Sequence, residues 1–295
     1  MANENEDKLI ETVWRRVEPG IKKLMPGASY NDLLEIKVLL KRALKHAAIR
    51  RDPLSLDMAD KYLAAGEADY WAVNLLFKHR ELALSVYHIQ QAIEKAMKAF
   101  YLSVGDVTIE ELRKTHRTPQ LLLKIIEERH GREMISALNS LGNRDYKAAI
   151  TQVKKLVNSD QQQLAKLPMK SSARVRGIEE LIEVADALIT TQPLLEKKEN
   201  EAKTVFSEYL PEYKESLVTY PLVKIGQAGL QCYILGMLTF PHESYTRYPG
   251  GFLEPQDYTQ ALGIVQAIPI IIERVPRTLS LVRDVISIFR KQISP

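Results

Sequence analysis

Hydrophobic residues recur with a helical period of about 3.6 along almost the whole chain of 295 residues. Short alternating runs between Asn-Gly or Asp-Gly turns, which would predict β-hairpins, do not occur in the sequence. A chain with this pattern can bury its apolar stripes only by packing helix against helix. The sequence therefore predicts an all-α fold.

Breaks in the hydrophobic pattern divide the chain into predicted helices. A first helix precedes the break "MPGAS", and Pro19 is expected to bend or split it. A second helix, capped by Ser29 and ending at about residue 51, would complete a helical hairpin over residues 1–52. Pro269 and Pro276 should kink or divide the last helix of the chain. The longer helices are predicted at about 55–79, 80–104, 216–240 and 256–292.

The middle of the chain differs in composition from the parts on either side of it. Residues 127–215 are rich in Gln, Lys, Ser and Asn, as in "NSDQQQLAKLPMKSSARVRG", and carry weaker apolar stripes. We interpret this segment as a helical insertion or subdomain. The flanking residues 53–126 and 216–292 are expected to form one antiparallel up-and-down bundle, because short connections join their helices. The stretch "GDVTIEELRKTHRT", which begins at Gly105, is expected to be a polar connection.

Composition excludes some classes of protein and leaves others open. There are 41 Lys plus Arg against 37 Asp plus Glu, and this net charge of +4 permits a polyanionic partner without requiring one. The single cysteine, Cys232, excludes an intramolecular disulfide and a thiolate metal cluster. The start "MANENEDKLIETVW" is unlike a signal peptide, and the most apolar stretch, residues 217–240, contains Lys224. We expect a cytoplasmic protein that does not contact a membrane.

Short motifs at four places are the most specific feature of the sequence. They are "AAGEADYWAVNLL" at residues 64–76, "QQAIEKAMKAF" at 90–100, "THRTPQLL" at 115–122 and "YTRYP" at 245–249. With these motifs in this order, the chain resembles the HEPN domain family, named for higher eukaryotes and prokaryotes nucleotide-binding. The resemblance covers residues 55–126 and 216–292. Because the Thr-His and Arg-Tyr-Pro motifs normally lie much closer together, it implies an unusually long insertion between them.

The resemblance also implies a function. HEPN-like modules bind a nucleotide or RNA and often partner a nucleotidyltransferase or a defence system. The resemblance further implies a homodimer, and the wide apolar coverage of "YILGMLTF" and "IPIIIERV", which one bundle would not fully bury, is consistent with one.

Many members of this family resemble metal-independent ribonucleases in which four to six residues separate an arginine from a histidine. Such a pair suits the chemistry, because imidazole moves a proton near neutral pH while a guanidinium holds phosphate bidentately. In the family the arginine precedes the histidine. No arginine of this chain precedes a histidine with four to six residues between them, and seven residues separate Arg80 from His88. We therefore expect a non-catalytic module.

Other functions stay open beside this one. One is a toxin-like, metal-independent ribonuclease with a non-standard active site, and another is a helical scaffold for protein association. The sequence contains no GxxxxGK[ST] or GxGxxG phosphate loop, no HExxH motif and no GxSxG motif. Its six histidines show no i, i+4 pairing and no CxxC companion. We predict no catalytic residue, no metal and no cofactor.

The predicted helix 80–104 has two different faces. At about 100° per residue, one arc carries apolar residues, among them Ile89, Ile93 and Phe100. The apolar arc predicts contact with a core, whereas the other arc is either a solvated back or a working surface. The polar residues of this second arc are His88, Gln91, Glu94, Lys95 and Lys98.

The functional interpretation of the polar arc is that its side chains meet others from distant parts of the chain around a nucleotide or RNA phosphate. The alternative interpretation pairs Lys98 with Glu94, leaves Lys95 in solvent and pairs Arg247 with a carboxylate such as Glu243. The candidate ligand-binding residues are Gln91, Lys95, Lys98, His116 and Arg247.

Two aromatic residues within the motifs are expected to belong to the core. Trp71 lies in the first motif and Tyr248 in the last. Aromatic side chains at helical spacing usually pack against other apolar groups. The basic stretch "KSSARVRG" in the middle of the chain is expected to be a solvated loop.

Overall fold

The computed structural model describes residues 2–30, 52–114, 192–211, 221–243, 245–251 and 253–293, together with 33, 34, 36, 37 and 40. All regular structure in these residues is helical, which confirms the all-α prediction. The 3₁₀ turns are Phe240–His242 and Pro255–Asp257. The α-helices are α1 Ala2–Leu24, α2 Pro53–Lys78, α3 Leu82–Val104, α4 Ile109–Lys114, α5 Gln192–Tyr209, α6 Leu222–Thr239 and α7 Gly263–Ile293.

The chain divides into two compact units. The first comprises residues 1–50 and 190–223, and the second comprises residues 51–189 and 224–295. Most of the second hairpin helix, and most of the predicted insertion, lie outside the described residues. The division into hairpin, bundle and insertion therefore stays a prediction.

In the first unit, α1 packs against α5. Val13, Val17 and Ile21 recur at intervals of four residues and are buried. Pro19 does not split α1, which runs through it without interruption. Next to it, a Cβ atom on Gly20 would lie 2.6 Å from Val205 Cγ1, so only glycine allows the two helices to approach this closely.

In the second unit, α2 and α3 form an antiparallel pair, because only residues 79–81 connect them. The α2 helix begins where the Asp52 carboxylate accepts a hydrogen bond of 3.1 Å from the Leu54 backbone N–H. The α3 helix ends at Gly105, whose φ of 77° lies in the left-handed region that favours glycine. Where the helices cross, a Cβ on Gly66 would lie 3.1 Å from the Ala92 carbonyl oxygen, so the absence of a side chain permits close packing.

The orientation of α7 follows from its ion pairs with α2. Arg290, near the end of α7, lies 2.6 Å from Asp60, near the start of α2. Arg283, two turns before Arg290 in α7, pairs with Glu67, which lies two turns after Asp60 in α2. The two helices are therefore antiparallel, and α7 is not divided at Pro269 or Pro276.

The α6 helix runs antiparallel to α3. A Cβ on Gly229 of α6 would lie 3.3 Å from the Phe100 ring, and one on Gly236 would lie 3.1 Å from Met97 Sδ. Going forward along α6 from Gly229 to Gly236 therefore means going backward along α3 from Phe100 to Met97. Together with the α2–α3 and α2–α7 pairs, this contact makes the second unit an up-and-down antiparallel bundle, as predicted.

The apolar arc of α3 faces the centre of this bundle. Its side chains are almost entirely removed from solvent. The helix packs against α2 and α7, and Phe100 and Met97 also lie against glycines of α6. The sequence therefore placed the core face of α3 correctly. The buried residues of this arc are Val86, Ile89, Ile93, Met97 and Phe100.

Some predictions of local structure are wrong. The expected polar connection after Gly105 contains α4, whose start is closed by reciprocal hydrogen bonds between Thr108 and Glu111. Trp71 and Tyr248 are not core residues, because 72% and 60% of their respective surfaces are exposed. Trp71 lies on the outer side of α2, so helical spacing alone did not reveal its environment.

No helix in the described part of the chain combines the length and apolarity needed to cross a membrane.

Candidate functional site

An exposed polar feature of the second unit is Arg247, whose guanidinium lies within cation–π distance of two tyrosine rings. The Arg247 Cζ atom lies 5.0 Å from the centroid of the Tyr87 ring and 5.1 Å from that of the Tyr248 ring. Tyr87 belongs to α3, whereas the other two residues follow α6. Arg247 is exposed, and its terminal nitrogens have no hydrogen-bond partner among the described residues. We call these three residues the arginine stack.

A buried polar pair anchors the loop that carries Arg247. His242 Nδ1 lies 2.8 Å from the Tyr258 hydroxyl, and Thr246 Oγ1 donates a hydrogen bond of 3.1 Å to the His242 carbonyl oxygen. Burial lowers the pKa of His242 to about 3 and raises the pKa of Tyr258. Both side chains are therefore neutral near pH 7, so they fix the loop without adding charge beside the arginine stack.

A second feature is a hydrogen-bonded network centred on Glu94, which is only 8% exposed. Lys98 Nζ lies 2.6 Å from Glu94 Oε1, and Gln90 Nε2 donates to Glu94 Oε2 at 2.9 Å. Gln91 Nε2 donates to Gln90 Oε1 at 2.7 Å. We call these four residues the Glu94 network. Its polar groups satisfy one another, so the pairing of Lys98 with Glu94 that the alternative interpretation predicts is present.

Glu243 connects the Glu94 network with the arginine stack. Burial raises the pKa of its carboxyl, the Glu94 carboxylate raises it further, and the positive charges of Arg247 and Lys98 oppose this increase. Lys98 and Arg247 therefore act on the same carboxyl, although they come from distant parts of the chain. The hydrogen bond from Arg247 Nε goes to the Glu243 backbone carbonyl, at 3.4 Å, and not to its carboxylate.

A third feature combines Asp69 of α2 with two residues of α3. His88 Nδ1 lies 2.9 Å from Asp69 Oδ1, and Lys95 pairs with the other carboxylate oxygen. The side chains of His88 and Lys95 are each 27% exposed. Lys95 is thus an ion-paired residue and is not simply solvated. We call these three residues the Asp69 cluster.

The Asp69 cluster adjoins the arginine stack through the ring of Tyr87. The centroids of the Tyr87 and His88 rings are 5.1 Å apart in an edge-to-face arrangement. Since the same tyrosine ring lies against Arg247, the two features share one surface of the second unit.

The structure divides the predicted ligand residues among these features. Gln91 and Lys98 belong to the Glu94 network, Lys95 to the Asp69 cluster and Arg247 to the arginine stack. His116 lies outside the described residues.

The sequence analysis missed the roles of Tyr87 and Asp69 at this surface. A signal for Tyr87 was present, because it precedes Gln91 by four residues on the same helical face. Asp69 gave a weaker signal: it is an acidic residue inside the first motif, on a helix that had to pack against α3. The sequence did not identify the partners of Tyr87 or Asp69, because each of these residues contacts a residue from a different element of the fold.

Comparison with protein-family models gives one match, to the HEPN domain, over residues 59–191. Comparison with curated proteins and with solved structures gives no match. The matched range includes the Asp69 cluster, the Glu94 network and Tyr87, whereas Arg247 and Tyr248 lie beyond it. A HEPN domain indicates a module related to nucleotides or RNA. The family resemblance inferred from the motifs is confirmed over residues 59–191, where the chain is similar to the HEPN domain.

Proposed function

We propose that this protein is a non-catalytic module that binds a nucleotide or RNA, and that the arginine stack is its main contact with the ligand. The observation that supports this proposal is the exposed guanidinium of Arg247 within about 5 Å of two tyrosine ring centroids. Aromatic and guanidinium planes stack on nucleobases. The terminal nitrogens of a guanidinium also match the geometry of a phosphate.

The charges around the arginine stack support the same proposal. Lys98 is neutralised by Glu94 within a buried network, and Lys95 is paired with Asp69. Arg247, whose hydrogen bond goes to a neutral carbonyl, has the most open donors among the predicted cations that the structure describes. An anionic ligand would therefore gain most from contact with Arg247.

The test is a binding titration of a labelled single-stranded oligoribonucleotide, followed by fluorescence anisotropy. Arg247→Ala should weaken binding by roughly 10- to 100-fold, because charge-assisted hydrogen bonds to phosphate and a stacking surface are lost. The control is Arg15→Ala, which removes the same charge from a side chain that is 79% exposed in the first unit. Equal losses in both variants, or no loss in either, would contradict the proposal.

The same samples test the catalytic alternative. Gel analysis of the oligoribonucleotide after incubation in a chelator should show intact RNA. Cleavage by the wild-type protein would instead favour the metal-independent ribonuclease with a non-standard active site.

The homodimer also stays a proposal, although its physical basis changes. Within the two apolar segments that motivated it, residues such as Ile234 and Ile271 are buried in their own unit. Support comes instead from the tendency of HEPN domains to dimerise. Trp71 and Leu75, which are 72% and 50% exposed and lie four residues apart on α2, supply an apolar surface.

Light scattering tests the homodimer. A dimer would give twice the chain mass of 33.6 kDa, and a mass of 33.6 kDa at all concentrations would exclude it. A nucleotidyltransferase partner and a cytoplasmic location stay predictions from the sequence.

A further inference from the structure

The loop that carries Arg247 is closed by a contact between its two ends. In residues 245–251, which we call the arginine loop, the ring of Tyr245 lies against Gly251. A Cβ atom on Gly251 would lie 2.7 Å from Tyr245 Cδ1 and 3.0 Å from Tyr245 Cε1, well inside the separation of about 3.5–4.0 Å at which carbon atoms pack. The ring can therefore occupy this place only because residue 251 has no side chain.

Gly250, the neighbour of Gly251, is required for a different reason. Its φ of 90° lies in the region that favours glycine, whereas a Cβ atom on it would meet nothing within 4 Å. The Gly250 N–H donates a hydrogen bond of 3.4 Å to Glu254 Oε1, and the Glu254 N–H donates one of 2.8 Å to Asp257 Oδ2. These contacts hold the end of the arginine loop at which Gly251 meets Tyr245.

The side chains at the tip of the arginine loop are exposed, so their position depends on the backbone that carries them. Arg247 is exposed, and so is 60% of the surface of Tyr248. The hydrogen bond from Thr246 Oγ1 to the His242 carbonyl oxygen holds the start of the loop, and the contact between Tyr245 and Gly251 closes it. A guanidinium that is already held in place costs less conformational entropy when a ligand binds to it.

We propose that Tyr245 and Gly251 are positioning residues, and that their contact holds the arginine loop in the conformation in which Arg247 receives the ligand. The inference rests on the proposed function, because the position of Arg247 affects binding only if Arg247 contacts the ligand. Tyr245 and Gly251 act through Arg247 and do not themselves need to touch the ligand.

The experiment is the anisotropy titration of the labelled single-stranded oligoribonucleotide with Gly251→Ala, whose Cβ atom would displace the ring of Tyr245 and open the loop. The affinity should fall by roughly 5- to 30-fold, the effect of having to order about one residue on binding. The matched control is Gly226→Ala in α6, where a Cβ atom would meet nothing within 4 Å, and its affinity should be unchanged. Equal affinities of the wild type and Gly251→Ala would overturn the inference.

Tyr245→Ala breaks the same contact from the other side. It removes the ring that lies against Gly251, so it should weaken binding of the oligoribonucleotide by a similar factor. Thermal melting of each variant checks that the fold is intact. Wild-type affinity in folded Tyr245→Ala would also overturn the inference.

Hydrogen–deuterium exchange tests the contact without a ligand. The backbone amides of the arginine loop should exchange faster in Gly251→Ala than in the wild type and in Gly226→Ala, because the loop opens more often. If these amides exchange at the wild-type rate in Gly251→Ala, the contact does not hold the loop and the inference is wrong.

A double variant tests whether Gly251 acts through Arg247. In a protein that already carries Arg247→Ala, adding Gly251→Ala should weaken binding no further, because the group that the loop positions is absent. A second loss of roughly 5- to 30-fold would contradict the inference, since Gly251 would then affect the ligand by another route.

The outcomes separate this inference from the proposed function. Weaker binding in Arg247→Ala and in Gly251→Ala, with no further loss in the double variant, supports both proposals. Weaker binding in Arg247→Ala together with unchanged binding in Gly251→Ala refutes only the positioning role. Unchanged binding in Arg247→Ala refutes the proposed function, whereas the exchange measurement still decides whether the contact holds the loop.

Discussion

The Glu94 network and the arginine stack lie next to each other, yet the polar groups of the network are paired within the protein and the guanidinium of the stack is open to solvent. In the network, the carboxylate of Glu94 is 8% exposed and is bonded to Gln90 and Lys98. In the stack, the guanidinium of Arg247 is exposed and its terminal nitrogens have no partner among the described residues. Buried polar groups must be satisfied within the protein, whereas exposed donors can be satisfied by a ligand.

This difference separates the motif at residues 90–100 of α3 from the residues suited to recognition. The "QQAIEKAMKAF" motif supplies all members of the Glu94 network, and its polar side chains bond to one another inside the bundle. Tyr87 lies just before that motif, and Arg247 belongs to the motif "YTRYP", which is distant from it in the sequence. We infer that the motif mainly holds α3 in place, while the ligand contacts of the proposed function lie outside it.

The largest effect on stability should come from truncating a side chain in the apolar face of α3. The effects of changes in the two polar features are compared with this one. Phe100 is fully buried and packs against Gly229 of α6. Phe100→Ala should lower the free energy of unfolding by about 3–5 kcal/mol, because it leaves a cavity. Urea denaturation measures this loss. Leu84→Ala, at a position of the same helix that is 42% exposed, should lose under about 1 kcal/mol, and similar losses in the two variants would mean that the buried face is wrongly assigned.

The next largest effect should come from the Glu94 network. Glu94→Ala leaves the Lys98 ammonium, whose side chain is 16% exposed, without its carboxylate, and it should lower stability by about 3 kcal/mol. The matched control is Glu67→Ala, which breaks the more exposed pair with Arg283 and should lose under about 1 kcal/mol. If urea denaturation gives equal losses for the two variants, the network is not the buried structural element described above.

A smaller effect should come from the pair that anchors the loop of the arginine stack. Because burial lowers the pKa of His242 from 6.5 to about 3, the unfolded chain takes up a proton below pH 6.5 while the folded protein does not. The stability contributed by neutral His242 is complete above pH 6.5. It should be lost by about 1.4 kcal/mol for each pH unit as the pH falls towards 3.

His242→Gln isolates this contribution. The raised pKa of Glu243 acts in the opposite direction, since its protonated form is favoured in the folded protein and stability rises as the pH falls. The difference between the unfolding free energies of the wild type and the variant does not contain the contribution of Glu243, because both proteins have it. Urea denaturation at pH 7.5 and pH 5 should give the variant a shallower loss of stability. If both proteins lose the same unfolding free energy between pH 7.5 and pH 5, His242 does not titrate as its burial requires.

The sequence was sufficient for the all-α class and the buried face of α3 but only partly sufficient for the site. Helical periodicity depends on neighbouring residues, so it located the buried arc of Ile89, Ile93 and Phe100. The Glu94 to Lys98 pair was predictable for the same reason, because it lies within one helical turn. The contacts of Tyr87 with Arg247 and of His88 with Asp69 join separate elements, so no local pattern specifies them.

The most direct measurement of the difference between these two regions is made on Arg247→Ala, with its unfolding free energy and its affinity for the oligoribonucleotide determined on the same preparation. We predict an unfolding free energy within about 0.5 kcal/mol of the wild-type value, because Arg247 is exposed and no core is opened. The affinity should fall by roughly 10- to 100-fold. If the variant unfolds instead, and the affinity of each folded molecule is unchanged, Arg247 is a structural residue and the arginine stack is not the binding surface.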